Sequence, residues 1–398
     1  MRVYTAEWVL PMTGEPIHRG TIAIDSGLVV GVDDRAPADA VDLGSVAILP
    51  ALVNAHTHLE LSYLRGQVPP TEKFLDWIRT IMATRRQYPD ASDRRIVDAA
   101  RAAIAEARAS GTGLVGDVSN TLVTTRLLRD AAMPAQVFYE LLRFNASDPE
   151  SMTREARANA DAAAGNGSVR VSLAAHAPYS VSPALFAAIR ADLDAHAGEV
   201  TSVHLGESPE EIEFIKRGTG PWRALLEELG VWTDQWEPPG TSPVEYLEQL
   251  GFLDRRVLAV HGVQFDGDDF DRLRARNMTI VSCPRSNQHV GVGAPPLEAF
   301  YAMDVNVAFG TDSLASAPDL NLFSELADAR RLAPRVPARA LLESATRQGA
   351  AALGFDEFGT IEPGKRAQLI AVRTPAGVDD VEEYLVGGIA PSAVRWLP

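Results

Sequence analysis

The chain has 398 residues, 46% of them hydrophobic and 23% charged, and a formal net charge of −16. This composition supports a large buried core and excludes a disordered or fibrous chain. The acidic balance argues against polyanion binding, so no nucleic-acid partner and no anionic membrane surface are expected.

A single cysteine, Cys283, leaves no intrachain disulfide and suits a reducing compartment. The start MRVYTAEWVLPMTG lacks the apolar run of a signal peptide. No apolar stretch approaches the ~20 residues needed to span a bilayer. A cytoplasmic protein is expected.

In chain order, TIAIDSGLVVGVDD reads as a hairpin turning at Ser-Gly. The apolar run AILPALVNAHTHLELS then ends in a polar cluster. Further strand candidates follow at 114–120, 135–142, 169–178, 200–208, 257–265, 279–287 and 305–313. Helical stretches separate them. One covers 92–110, from Ser92 to a glycine stop, and another covers 182–198, with Ser182 as cap and Pro183 in the first turn. This alternation predicts an α/β fold, a (β/α)8 TIM-type barrel over 48–358, with a doubly wound open sheet as the alternative. The last stretch, FGTIEPGKRAQLIAVRTP, is strand-like around Pro-Gly. Residues 1–47 and 359–398 are therefore expected to pair into a small β-sandwich domain. Residues 209–256 interrupt the alternation and contain Trp222, Trp232 and Trp236. They read as a helical insertion packing its own aromatics or, alternatively, as a lid over the barrel mouth.

His56 and His58 end the first barrel strand. Side chains two apart on a strand point the same way, and barrel enzymes keep their chemistry at this end. His176, His204, His261 and Asp312 recur at the same end of later strands, with Glu207 three residues past His204. Unrelated polar residues would scatter along the chain; this recurrence points to a metal-dependent site. His18 and His196 are off the pattern, and His289, after the seventh strand, reads as a loop residue with a substrate contact as the alternative. Glu60 and Ser62 follow the histidine pair closely and read as support for the site. Cys283 reads as a buried structural thiol.

The motifs NAHTHLELS, HLGES, VHGV, CPRSN and GTDSLAS resemble those of the amidohydrolase superfamily, in its branch of cytosine- and adenosine-type deaminases. The resemblance covers nearly the whole chain. It implies that His56, His58, His204 and Asp312 hold one divalent metal, zinc or alternatively iron. Two-metal members use a lysine after the fourth strand, and Lys73, Lys216 and Lys365 all lie elsewhere. The ion lowers the pKa of its water towards ~7, so that a metal-bound hydroxide can attack. Asp312 and His261 would then orient that water and take its proton, and Glu207 would shuttle a proton to the substrate ring. FLDWI, HAPYSVS and TDSLAS are most similar to aminofutalosine deaminases, which act in menaquinone biosynthesis. On that resemblance Trp77, Arg143 and His176 are candidate substrate contacts, with Arg143 meeting a carboxylate. The implied partner is a small-molecule nucleoside, and a homodimer is compatible with the fold. The alternatives are other chemistry at the same site, such as deamination of adenosine, methylthioadenosine or adenosylhomocysteine, of guanine or of cytosine, or loss of halide from a triazine, and a non-catalytic member that would lack ligands.

Overall fold

A computed structural model describes residues 1–35, 37–165 and 167–397. The chain begins with short strands: β1 (Arg2–Thr5), β2 (Trp8–Val9), β3 (Ile17–His18), β4 (Thr21–Asp25), β5 (Leu28–Asp33), β6 (Val41–Asp42) and β7 (Val46–Pro50). The β4–β5 hairpin turns at Ser26 and Gly27, both at positive φ, as a tight turn matched to strand twist requires.

The parallel strands follow: β8 (Leu52–Thr57), β9 (Thr112–Ser119), β10 (Ala135–Leu141), β11 (Val169–Ala175), β12 (Thr201–Leu205), β13 (Val257–His261), β14 (Thr279–Ser282) and β15 (Asn306–Phe309). The chain returns with β16 (Leu369–Arg373) and β17 (Val394–Trp396).

The parallel strands form two four-stranded sheets, β11-β10-β9-β8 and β12-β13-β14-β15. Their edges meet twice. His204 N–H donates to the His176 carbonyl at 2.8 Å, and Thr57 bridges to Asp312 in parallel sense. One buried cluster takes Val53, Leu114, Phe138, Ala174, Leu258, Val281 and Ala308 from strands of both sheets. The two sheets thus bury side chains in one common cluster.

Helices connect the strands. They include α1 (Phe74–Arg85), α2 (Arg94–Ala109), α3 (Val123–Asp130), α4 (Pro149–Ala163) and α5 (Pro183–Ala195). Ser182 caps α5 as expected, its Oγ accepting from Leu185 N–H. The start of α2 differs by one residue: Asp93 is the cap, because Ser92 is bound to the Asp90 carboxylate through both its N–H and its hydroxyl. Residues 209–256 carry three helices joined by loops, α6 (Pro209–Arg217), α7 (Pro221–Glu228) and α8 (Pro243–Gln249). Trp236 stacks on Phe214 at 4.7 Å and lies 6.0 Å from Trp232.

The remaining strands make two small mixed sheets, β5-β4-β1-β6 and β17-β16-β7-β2-β3. The second pairs β16 from the end of the chain with β7 from its beginning. Tyr4, Ile22, Val29, Ile48 and Leu369 from the two sheets share one buried cluster. Of the two apolar runs expected around Pro363-Gly364, only the second forms a strand.

Candidate metal centre and active site

His56 is fully buried within β8, and His58 stands two residues on, just past the strand. Their rings meet edge to face, centroids 4.9 Å apart. Asp312 follows β15; its Oδ1 is 3.7 Å from His56 Nε2 and 3.5 Å from His58 Nε2. Ligands about 2.0–2.2 Å from a tetrahedral ion lie about 3.3–3.6 Å from one another, so this spacing is close to that of donors gathered around one small cation. Both ring nitrogens of His56 are buried without a hydrogen-bond partner. A buried polar atom is costly unless it is paired, and a cation among these donors removes that cost. Imidazole and carboxylate are also the usual donors to divalent zinc. The residues present therefore fit a divalent metal.

Neighbouring side chains fix these donors from outside. Ser286 and Ser316 hydroxyls donate to Asp312 Oδ2 at 2.6 and 3.0 Å. His261 ends β13, with Nδ1 2.9 Å from Asn287 Oδ1 and Nε2 3.1 Å from His204 Nδ1. Ser286 and Asn287 thus explain the SN of the CPRSN motif as a brace behind the site. His261 and Asp312 both sit at positive φ, 75° and 56°, a conformation non-glycine residues seldom hold outside constrained functional segments. Gly310 is required because a Cβ there would lie 2.7 Å from His56 Cβ.

Glu207 sits on the turn between β12 and α6, buried, with Oε1 3.6 Å from His261 Nε2. Its turn is clamped from below: Glu211, wholly buried in the first turn of α6, accepts the N–H groups of Gly206 and Glu207 at 2.9 Å each. Burial pushes the Glu207 carboxyl up to about 8. Burial, reinforced by His56, lowers His58 to about 3, so its imidazole is neutral and free to ligate. For Asp312, burial acts upward, but His56 and His58 outweigh it and hold the carboxyl well below its usual range.

The structure brings His176 to the same place. Its ring centroid is 5.0 Å from that of His204, and its Nδ1 is held 2.6 Å from Ser180 Oγ. Trp77 is a buried residue of α1, stacked on Phe74 at 6.2 Å, with an unpartnered Nε1. Arg143 is exposed. It is tied in through its backbone to Val181 and Ser182, and its side chain makes no ion pair among the described residues. From the insertion, Trp222 stacks on Tyr179 at 3.7 Å, and Tyr179 lies 5.7 Å from His176.

Sequence reasoning missed Glu140. It is the penultimate residue of β10, buried, with Oε1 3.3 Å from His204 Nε2. Asn120 Nδ2 donates to its Oε2 at 2.8 Å, and Asn120 N–H donates to Glu60. Glu60 also accepts from the Ser119 and Thr121 hydroxyls and from Arg85. Burial disfavours a charged His204, but Glu140 outweighs it and raises that imidazole to about 9. The signal available was a lone acid inside the apolar run VFYELL, since an unpaired buried carboxylate is too costly to be incidental.

The amidohydrolase family profile matches residues 47–389, a span that includes every one of these strand-end residues. The chain belongs to the amidohydrolase family. Among its relatives, the aminodeoxyfutalosine deaminase of Deinococcus radiodurans is 32% identical over 332 residues, covering 80% of this chain and 76% of the relative. The 5-methylthioadenosine/S-adenosylhomocysteine deaminase of Moorella thermoacetica is 29% identical, covering 95% of this chain and 88% of the relative. An adenosine deaminase from Xanthomonas campestris with bound zinc superposes with a TM-score of 0.83 at 27% identity, covering 98% of this chain and 90% of that one. This amidohydrolase is thus a hydrolytic enzyme with a donor cluster for a divalent metal. Among the described residues, no helix is long and apolar enough to cross a membrane.

Proposed function

We propose that this amidohydrolase is a cytoplasmic hydrolytic deaminase of an adenine-bearing nucleoside, with aminodeoxyfutalosine as its substrate. The observation that carries the deaminase reading is Glu207: a buried carboxyl, its pKa raised by that burial, standing beside the His56–His58–Asp312 cluster and His261. The 32% identity to the Deinococcus enzyme supports the choice of nucleoside. Methylthioadenosine or adenosylhomocysteine is the second reading, favoured by the longer match to the Moorella enzyme.

In this account His56, His58, His204 and Asp312 hold one ion, zinc by analogy with the Xanthomonas neighbour and iron as the alternative. Bound there, the ion supplies Lewis-acid activation of water at neutral pH. His261 orients the attacking water, and Asp312 takes its proton. Glu207 gives a proton to the ring nitrogen next to the carbon under attack, so that carbon accepts the water oxygen. The amino group then leaves as ammonia after gaining a proton through the same residues. A carboxyl suits this shuttle because a dry site brings its pKa near the working pH. His176 donates to the ring, and Trp77 covers it. Arg143 meets the acidic tail by swinging inward from its exposed position.

The fold is read in the same way. The twice-joined parallel sheets form a closed (β/α)8 barrel over 48–358, and segments 1–47 and 359–398 form a β-sandwich beside it. The experiment for the function is product analysis in heavy-oxygen water. One labelled oxygen in place of the amino group is expected; an unlabelled product, or loss of any other group, would remove the hydrolytic deaminase reading.

A further inference from the structure

Helix α1 carries Trp77 near its start and Arg85 as its last residue. Residues eight apart return to nearly the same helix face, here about 12 Å along the axis at ~1.5 Å per residue. The Arg85 guanidinium is fixed in place. Its Nη1 and Nη2 each donate to Asn120 Oδ1 at 3.2 Å, and Nη2 donates to Glu60 Oε1 at 3.3 Å. Its Nε–H makes no hydrogen bond among the described residues. Asn120 in turn donates to Glu140 at 2.8 Å, and Glu140 lies 3.3 Å from His204, so Arg85 is three contacts from the metal cluster. Burial above all, against the pull of Glu140, lowers His176 to about 4, and the charges of His204 and Arg85 add to it. The guanidinium therefore stands within electrostatic reach of that ring.

Beside Arg85 opens a cavity of about 320 Å³, with Glu60, Tyr63, Arg85, Arg86, Tyr88 and Ile96 in its walls. The Tyr63 and Tyr88 rings meet edge to face at 5.6 Å, and Arg95 lies over Tyr88 at 4.5 Å. Glu60 is the one carboxylate in the lining, and Ser119, Thr121 and Arg85 already donate to it. Aromatic walls suit a flat apolar group, and a planar guanidinium suits a carboxylate. The chain as a whole carries −16, so an acid entering the site needs local cations, which Arg85 and Arg86 supply.

We propose that this cavity receives the tail of the substrate, and that Arg85 selects a nucleoside whose tail ends in an aromatic carboxylic acid. The inference rests on the nucleoside reading and on Trp77 covering the ring: with the base under Trp77, α1 leads the rest of the molecule to Arg85. It adds a preset cation to Arg143, whose exposed side chain has to swing inward. A neutral tail, as in methylthioadenosine, gains nothing from the guanidinium.

The test compares wild type with Arg85→Gln and with Ala91→Trp, which fills the cavity from a wall residue outside the Arg85–Asn120–Glu140 chain. Both variants should lower kcat/KM for aminodeoxyfutalosine about 10- to 100-fold relative to kcat/KM for methylthioadenosine, mainly through KM. An equal loss on both substrates in Arg85→Gln would make Arg85 a prop for Asn120 and Glu140 and overturn the proposal; an unchanged ratio in either variant would do the same. Ligand-observed NMR with benzoate, and with benzamide as the uncharged control, needs no turnover. Benzoate should bind wild type and neither variant, and benzamide should bind none of the three. Benzoate bound by none, or bound alike by wild type and Arg85→Gln, overturns the proposal. Failure of metal-loaded wild type to deaminate any nucleoside is a separate result. It counts against the nucleoside reading, and benzoate binding still decides whether the cavity takes an aromatic acid.

Discussion

Replacing Glu211 by glutamine removes one of the two carboxylate oxygens that hold the Glu207 turn in place. Those oxygens accept the N–H groups of Gly206 and Glu207 at 2.9 Å each, in a fully buried position. The amide keeps one acceptor and turns an NH2 group towards the other N–H. A buried donor left without an acceptor costs about 1–3 kcal/mol, so Glu211→Gln should lose about 2 kcal/mol of stability and remain folded. The larger effect is on rate. Relief of the donor–donor contact shifts the turn, and a displacement of about 1 Å at a reacting group costs about 10²-fold. Glu211 touches neither the metal cluster nor the reacting atoms in this account, so it is a positioning residue. The expected signature is a kcat about 10²-fold lower, with KM and metal content near wild type. Steady-state ammonia release, metal analysis and a melting curve on one preparation would show it. A folded, metal-loaded Glu211→Gln enzyme with kcat within about threefold of wild type would refute the reasoning, because the clamp would then be irrelevant to where Glu207 sits.

Three further outcomes follow from the same geometry. Glu207→Gln is nearly isosteric and breaks no hydrogen bond of that carboxyl among the described residues; it should keep its metal and lose roughly 10²–10⁴-fold in kcat, and near-normal turnover would exclude the proton shuttle. His56→Ala removes the most buried donor of the cluster and should lower metal content after dialysis, whereas full occupancy would remove His56 from the ligand set. The third concerns acid stability. Burial acts to raise Asp254, but Arg190 and Arg256 outweigh it and hold the carboxyl at about 2, against an ordinary 3.8. A depressed carboxyl stabilises the fold above its unfolded pKa, and this contribution is lost as pH falls from 3.8 towards 2. With the side chain about one-third exposed (32%), the shift is discounted for solvent screening to about 1 kcal/mol. Urea unfolding of wild type and Asp254→Asn should differ by that amount near neutral pH and converge below the ordinary carboxyl pKa; a gap independent of pH would contradict the assignment.

What could be read from the sequence was whatever repeats with the strand. His56, His58, His176, His204, His261 and Asp312 were legible because each stands at the end of an apolar run, and a parallel α/β fold brings those ends together. The helices with strong caps were legible too, although Asp93 replaced Ser92 because Asp90 competes for the serine. Glu140 was legible only as a lone acid in an apolar run; its partners Asn120 and His204 come from other parts of the fold, and no local pattern states which strands adjoin. Ser286, Asn287 and Glu211 were hidden for the same reason, since their value lies in what they hold across the fold or across a turn. Arg143 shows the limit of reading direction from strand position. Its place past β10 suggested a side chain facing the site, yet strand position fixes only the backbone, and the guanidinium stands exposed.

The central claim is most directly tested by ammonia release from the metal-loaded protein over aminodeoxyfutalosine, methylthioadenosine, adenosylhomocysteine, adenosine, guanine and cytosine. The account predicts turnover of adenine-bearing nucleosides, fastest with aminodeoxyfutalosine, and little from the free bases. Silence on every nucleoside from protein that holds its metal, or preference for guanine or cytosine, would contradict it.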